Sequence, residues 1–335
     1  MIATPSEIPL PVLVQEFFCK YLIEQRALSQ RTVNSYRDTF RLMLRYWQEK
    51  TRKPADLLSL GHFDASAVLG FLNHLENDRK NTVRSRNARL AAIRTFMRYA
   101  SLRDPVSLPI AHQVLAIPMK RFDRPPLTFL SRQEIDAILN APDVSTWSGR
   151  RDRVMLATLY NTGARVSEVI SLHVRDVSVD GHAFVQLYGK GRKQRAVPLW
   201  KSTVSQIKAW LRANNLVPDS PLFPNRGGAP MSRTGVEDRL ARAVRNATAP
   251  CPSLKKLRIS PHSIRHTTAL HLLQSGVDLT VIAMWLGHES VATTHQYIDA
   301  DLKMKEAALR KLQPPTNKRL RFRPSDRLLA FLDGL

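Results

Sequence analysis

Cysteine is nearly missing from this chain: Cys19 and Cys251 are the only two among 335 residues, and no CxxC spacing occurs. A disulfide framework or a thiolate zinc site needs more cysteines at closer spacing, so neither organises the fold and a reducing compartment is expected. Long apolar runs are missing as well. No stretch reaches the roughly 18 residues of a membrane-spanning helix. The opening MIATPSEIPLPVLVQEFF lacks the basic n-region and small-residue cleavage site of a secretory leader. The expected location is the cytoplasm, without a membrane partner. Acidic residues are scarce too: 28 Asp and Glu face 51 Lys and Arg, leaving a formal charge of +23. Such a surplus repels itself in a compact state and calls for a polyanionic partner.

The rest of the composition is that of an ordinary globular protein, with 43% hydrophobic and 24% charged residues. The length suits two domains, each with its own core. No long repeat or low-complexity tract interrupts it. The first third reads as about four helices around one core, because apolar residues recur at helical spacing in each segment. Val12, Leu13, Phe17, Tyr21 and Leu22 mark the first; Ser29 caps a second carrying Val33, Phe40, Met43 and Trp47. Asp64 opens a third, and Leu90, Ile93, Phe96 and Met97 stripe a fourth. Arg31 and Arg37 on the second helix, with Arg84, Arg86 and Arg89 on the fourth, are candidate DNA contacts. The plainer reading is a solvated helix face.

Pro118, Pro125 and Pro126 resist helix, so residues 116–128 read as a basic linker in which Lys120 and Arg121 are further DNA-binding candidates. Ser131 and Glu134 then form a capping-box pattern that starts a new domain. The expected division is a helical DNA-binding domain over 1–115, the linker, a second domain over 129–312 and a tail over 313–335. The second domain reads as mostly helical with one β-hairpin, so the fold class is mainly α with a small β element. Two helices meet at Thr162-Gly163. HAFVQLYGKGRKQRAVPL supplies two β-prone runs about a Gly-Lys-Gly turn, flanked by the basic residues Arg192 and Lys193. Ser260 and Pro261 start the helix of PHSIRHTTALHLLQSG, Asp278 starts the next, and Gly276 and Gly287 end them.

The chemistry suited to these residues is phosphodiester cleavage by a tyrosine. A phenol has a pKa of about 10 and needs cationic surroundings to act as a nucleophile. Negative charge building on the non-bridging oxygens suits two guanidinium forks, and the departing alkoxide needs a proton donor. The kit is two arginines, a lysine or histidine acid, a hydrogen-bonding histidine and a tyrosine. Arg165 stands at a helix start, where backbone N–H groups favour phosphate. Lys190 occupies the hairpin turn, and His262 and Arg265 share a helix face. His288 lies just past Gly287, and Tyr297 follows nine positions later.

TGARVSEVISL, YGKGRKQRAVPL, PHSIRHTTALHLLQSG and LGHESVATTHQYI together resemble the motifs of the tyrosine recombinases, the phage-integrase and Xer-type site-specific DNA recombinases. The four segments run in family order from about residue 160 to 298. The resemblance implies a two-domain clamp, with an N-terminal SAM-like core-binding domain and a C-terminal catalytic domain. It implies that Arg165 and Arg265 clamp the phosphate and that Lys190 protonates the leaving 5′-oxygen. His262 would assist proton transfer, His288 would hydrogen-bond a non-bridging oxygen, and Tyr297 would form a 3′-phosphotyrosine link. Glu168 would orient the first arginine. Neither cofactor, ATP nor metal is implied. The implied partners are double-stranded DNA bearing a recombination site and four subunits across two duplexes, including other recombinase subunits. The chain runs 38 residues past Tyr297, and the apolar stripe of SDRLLAFLDGL reads as a helix that docks on a neighbour or on its own domain.

Other readings use the same residues. His262 and His266 have the i, i+4 spacing of zinc ligands, with His271, His288 and His295 nearby, yet position 263 is Ser where HExxH needs Glu. A DNA-binding protein that keeps the fold without cleaving is a second alternative. A relaxing topoisomerase of type IB or a telomere resolvase is a third.

Overall fold

The computed structural model describes residues 8–123, 127–189, 193–288 and 294. Its described residues are mainly helical, with one small sheet, and the chain divides into two compact units, Met1–Pro125 and Pro126–Leu335. No described helix is long and apolar enough to cross a membrane.

In the first unit, α1 (Leu10–Glu16) runs on as a π-helical segment over Phe17–Gln25. Then follow α2 (Gln30–Thr51), α3 (Ala65–Asn77) and α4 (Val83–Arg103). Each of these three helices begins at a side chain that accepts an orphan N–H: Ser29 from Thr32, Asp64 from Ala67 and Thr82 from Ser85. The core is aromatic. Phe17, Phe40 and Phe96 are fully or almost fully buried, and Phe40 meets Phe96 edge to face at 5.0 Å. Burying each such ring contributes about 1.5–3 kcal/mol.

A fifth helix, α5 (Leu108–Ala116), goes beyond the four expected. Pro109 falls in its first turn, where a missing N–H costs nothing, so the proline begins helix instead of breaking it. Asn87 on α4 donates to the Lys120 carbonyl at 2.8 Å and accepts from the Lys120 N–H at 3.1 Å, holding that residue on α4.

The second unit holds α6 (Arg132–Asn140), α7 (Trp147–Thr162), α8 (Val166–Ile170), α9 (Lys201–Asn214), α10 (Arg233–Ala247), α11 (Pro261–Gln274) and α12 (Leu279–Leu286). The capping box at Ser131 and Glu134 forms as the sequence suggests. Helix α7 is buried on nearly every side, packing against α6, α9 and α11. Its interior polar groups are satisfied: Asn161 donates to the Pro198 carbonyl and accepts from the Trp200 N–H.

Between α8 and α9 lies an antiparallel sheet of β1 (Val177–Ser178), β2 (Phe184–Tyr188) and β3 (Gln194–Pro198) in that order. Val185 faces Val197 and Leu187 faces Arg195, so an arginine shares the inner face with three buried aliphatic residues. The Gly-Lys-Gly turn at 190 and 191 lies outside the described residues.

Candidate active site

Helix α7 ends at Gly163, whose φ of +58° is left-handed and whose added Cβ would fall 2.5 Å from Leu286 Cδ2. That tight turn delivers Arg165 as the N-cap of α8. The helix start was expected to offer its own N–H groups to phosphate. Instead the Arg165 N–H donates to Glu168 Oε2 at 2.8 Å, so this amide is already occupied. What Arg165 offers is its guanidinium, about one-third exposed. Glu168 Oε1 accepts from Arg165 Nη1 at 2.9 Å, and Arg165 Nη2 reaches the Gly287 carbonyl at 3.3 Å.

Glu168 is itself buried, with 1% side-chain exposure. Burial alone would raise its pKa. The hydrogen bond and charge of Arg195, followed by those of Arg165, outweigh that and hold the carboxyl below the usual glutamate range. Arg195 grips it as a fork, Nη1 to Oε1 at 3.0 Å and Nη2 to Oε2 at 2.8 Å, while Nε donates to the Trp285 carbonyl at 2.8 Å.

Arg265 lies on α11, 4% exposed, and its two terminal nitrogens donate to the carbonyls of Gly163 and Leu286, both at 2.6 Å. The left-handed ends of α7 and α12 therefore present main-chain oxygens that aim Arg265. Consecutive carbonyls, Leu286 and Gly287, receive Arg265 and Arg165. Three imidazoles complete the surroundings. Desolvation of the ring, then Arg265, Arg233 and Arg165, lower the pKa of His262. Desolvation, His262 and Arg265 bring His266 down to about 4. Desolvation, Arg265, Arg165, His266 and Arg195 bring His288 to about 4. The His288 Nδ1 pairs with the Thr294 hydroxyl at 2.9 Å, which orients the ring. Fixed cations beside neutral imidazoles make a site that attracts an anion and offers it uncharged hydrogen-bonding groups.

The structure thus brings together Arg165, Glu168, Arg265, His262 and His288. Lys190, Arg192 and Tyr297 lie outside the described residues. Of the histidines weighed as metal ligands, His271 is buried and bonded to the Tyr160 hydroxyl at 2.8 Å. Arg233, at the start of α10, is close enough to depress His262.

The residue that sequence reasoning missed is Arg195. The available signal was alternation: in QRAVP, Arg195 and Val197 must point the same way, and Val197 points inward.

Among the candidates for DNA contact, Arg31, Arg84, Arg121 and Lys193 are exposed. Arg37 is exposed and pairs with Asp38 at 3.1 Å. Lys120 is paired with Glu76 at 2.7 Å, and Arg89 donates to the Ser35 carbonyl and the Thr39 hydroxyl on α2, both at 3.0 Å. Arg86 needs correcting. It is 2% exposed, bonds to Asn87 and the Pro118 carbonyl, and lies 3.7 Å from Glu76, so it builds the first unit and does not lie on a polar face.

The family model described as "Phage integrase family" matches residues 128–304, and that described as "Phage integrase, N-terminal SAM-like domain" matches residues 15–104. The chain belongs to the phage integrase family. An integrase/recombinase of Sinorhizobium fredii, y4rC, is 46% identical over 326 residues, covering 97% of this chain and 98% of that protein. Tyrosine recombinase XerD of Pseudomonas putida is 33% identical over 292 residues, 85% of this chain and 91% of that protein. The solved structure of XerH site-specific recombinase bound to palindromic difH substrate, a post-cleavage complex, has a TM-score of 0.66. It covers 92% of this chain and 91% of that chain at 20% identity, a likeness of fold. This family member is a tyrosine recombinase, an enzyme that cleaves and rejoins DNA strands.

Proposed function

We propose that this chain is a site-specific recombinase of the integrase or transposase type, in which Tyr297 attacks the scissile phosphate held by Arg165 and Arg265. The phenolic oxygen bonds to phosphorus, the bond to the 5′-oxygen breaks, and Lys190 donates the proton that leaves with the 5′-hydroxyl. A 5′-hydroxyl from the partner duplex then attacks the 3′-phosphotyrosine and releases the phenol, so bond energy is kept. Neutral His262 takes the phenol proton as Tyr297 attacks and returns it when the phenol is released. Lys190 recovers its proton from the incoming 5′-hydroxyl, and neutral His288 donates a hydrogen bond to a non-bridging oxygen.

The observation that carries this reading is the joint anchoring of Arg165 and Arg265 on the neighbouring carbonyls of Gly287 and Leu286, beside imidazoles held neutral. Guanidiniums so fixed lose little entropy on meeting a phosphate, and electrostatic preorganisation of this kind is commonly worth about 10²–10³-fold per donor. The XerH relative, whose solved structure is bound to its difH substrate, supports duplex DNA as the partner. The exposed Arg31, Arg37, Arg84, Arg121 and Lys193 supply non-specific backbone contacts. Lys120 joins them by exchanging Glu76 for phosphate.

We further propose a cytoplasmic enzyme that works as four subunits on two duplexes, its tail over 313–335 docking on a neighbour. The apolar stripe of Leu328, Leu329, Phe331, Leu332 and Leu335 supports that docking.

The test is covalent trapping on nicked DNA drawn from the chain's genomic neighbourhood. Wild type is expected to yield a protein–DNA adduct, also in excess chelator, and sequencing the trapped strand defines its site. Tyr297→Phe is expected to bind the same DNA without any adduct. An adduct in that variant would assign the nucleophile elsewhere.

A further inference from the structure

Arg195 is a charged side chain at this centre to which the proposed chemistry gives no part. Its surroundings are unusually complete. The fork on Glu168 and the bond to the Trp285 carbonyl join β3 to α8 and to the end of α12, and the side chain is 12% exposed. A Cβ added to Gly287 would fall 2.9 Å from Arg195 Nη1, so the arginine lies flat against the turn that precedes His288.

The other strand of the hairpin closes on the same carboxylate. Gly189 follows β2, and its N–H donates to the Lys193 carbonyl at 2.7 Å. A Cβ there would fall 3.2 Å from Glu168 Oε1 and 3.7 Å from Arg195 Nη1. The mouth of the hairpin is therefore pinched around Glu168 from both sides. Position 190 is the next residue in the chain.

We propose that Arg195 is a positioning residue that fixes the mouth of the β2–β3 hairpin through Glu168 and the Trp285 carbonyl, a fixed base on which the proton donation assigned to Lys190 depends. The inference rests on the proposed role of Lys190 as the proton donor. It also predicts a selective defect. Without Arg195, Glu168 still accepts two bonds from Arg165, so the buried carboxylate keeps a cationic partner and the phosphate clamp keeps its anchor. What is lost is the tie between the hairpin and its neighbours, and so leaving-group protonation fails before phosphate binding does.

A sulfur leaving group separates these effects. A thiol has a pKa of about 8.5 and departs as thiolate without a proton, whereas an alkoxide needs one. The probe is a nicked duplex of the sequence recovered by trapping, prepared with oxygen or sulfur at the bridging 5′ position of the scissile phosphate. Arg195→Ala is expected to cleave the oxygen substrate roughly 10²-fold more slowly than wild type and to come within about tenfold of wild type on sulfur. Arg195→Lys, which keeps the charge and loses the fork, is expected to show the same pattern more weakly and covers the case in which the alanine variant fails to fold. Equal losses on both substrates, or no loss on either, in a variant with wild-type melting and DNA affinity would overturn the proposal. Lys190→Ala is run alongside. If sulfur fails to rescue that variant, the acid assignment itself is wrong and this inference falls with it; rescue there without rescue of Arg195→Ala rejects the coupling alone.

Discussion

Arg84 on α4 and Arg265 on α11 carry the same guanidinium in opposite circumstances. The first is exposed near a helix start, and the second is 4% exposed and aimed by two carbonyls. An exposed, mobile arginine can neutralise any phosphate that comes near and release its counterion, but it cannot favour one stage of a reaction over another. A guanidinium whose direction is set before the ligand arrives can stabilise the charge of a particular geometry. A formal charge of +23 shows only that the chain prefers a polyanion. In the proposed mechanism, burial and bonding sort the arginines into those that hold the duplex and those that act on one phosphate within it.

Substitutions that respect this division are expected to differ most in cleavage. Arg265→Ala is expected to lower the rate of adduct formation about 10²–10³-fold while changing non-specific DNA affinity little. Single-turnover cleavage and filter binding on the same preparation check it. An affinity loss matching the rate loss would make Arg265 a holding residue and erase the distinction.

A smaller effect sharpens the contrast through pH. His266 and His288 are held at about 4 in the folded chain, against an ordinary value near 6.5. The unfolded chain therefore takes up protons that the native centre refuses. Stability is fully present above pH 6.5 and is lost as pH falls from there toward 4. Melting of the full chain is expected to shift downward across that window, and less so in His288→Gln. An unchanged acid dependence in that variant would show that His288 is not among the groups responsible.

The smallest effect belongs to the exposed set. Arg84→Ala is expected to reduce the slope of log affinity against log salt by about 1 and to leave the cleavage rate of bound DNA alone. A changed rate at saturating DNA would move Arg84 into the reacting centre.

Much of this arrangement was legible in the residues themselves. Ser29, Asp64, Ser131, Ser260 and Asp278 cap helices where their chemistry says they should, because a short polar side chain beside an apolar period has few other uses. Gly163 and Gly287 stop helices in the left-handed region for an equally local reason. Arg86 was misread although the signal was there. It precedes Leu90, Ile93 and Met97 by four, seven and eleven positions, which puts it on the buried stripe of α4. Its charge suggested surface, but Glu76 and the Pro118 carbonyl made burial tolerable, and those partners are distant in sequence. Arg195 was hidden for the same reason: only the fold brings Glu168 and the Trp285 carbonyl to it.

Arg265 is steered by the oxygens of Gly163 and Leu286, and Arg165 leans on that of Gly287. No single point mutation deletes a peptide oxygen. Many neighbouring side chains can be exchanged without dismantling the grip, so its direction is governed from the backbone by two residues that take no part in the chemistry. Those residues are the glycines, whose backbone twist decides where the oxygens point.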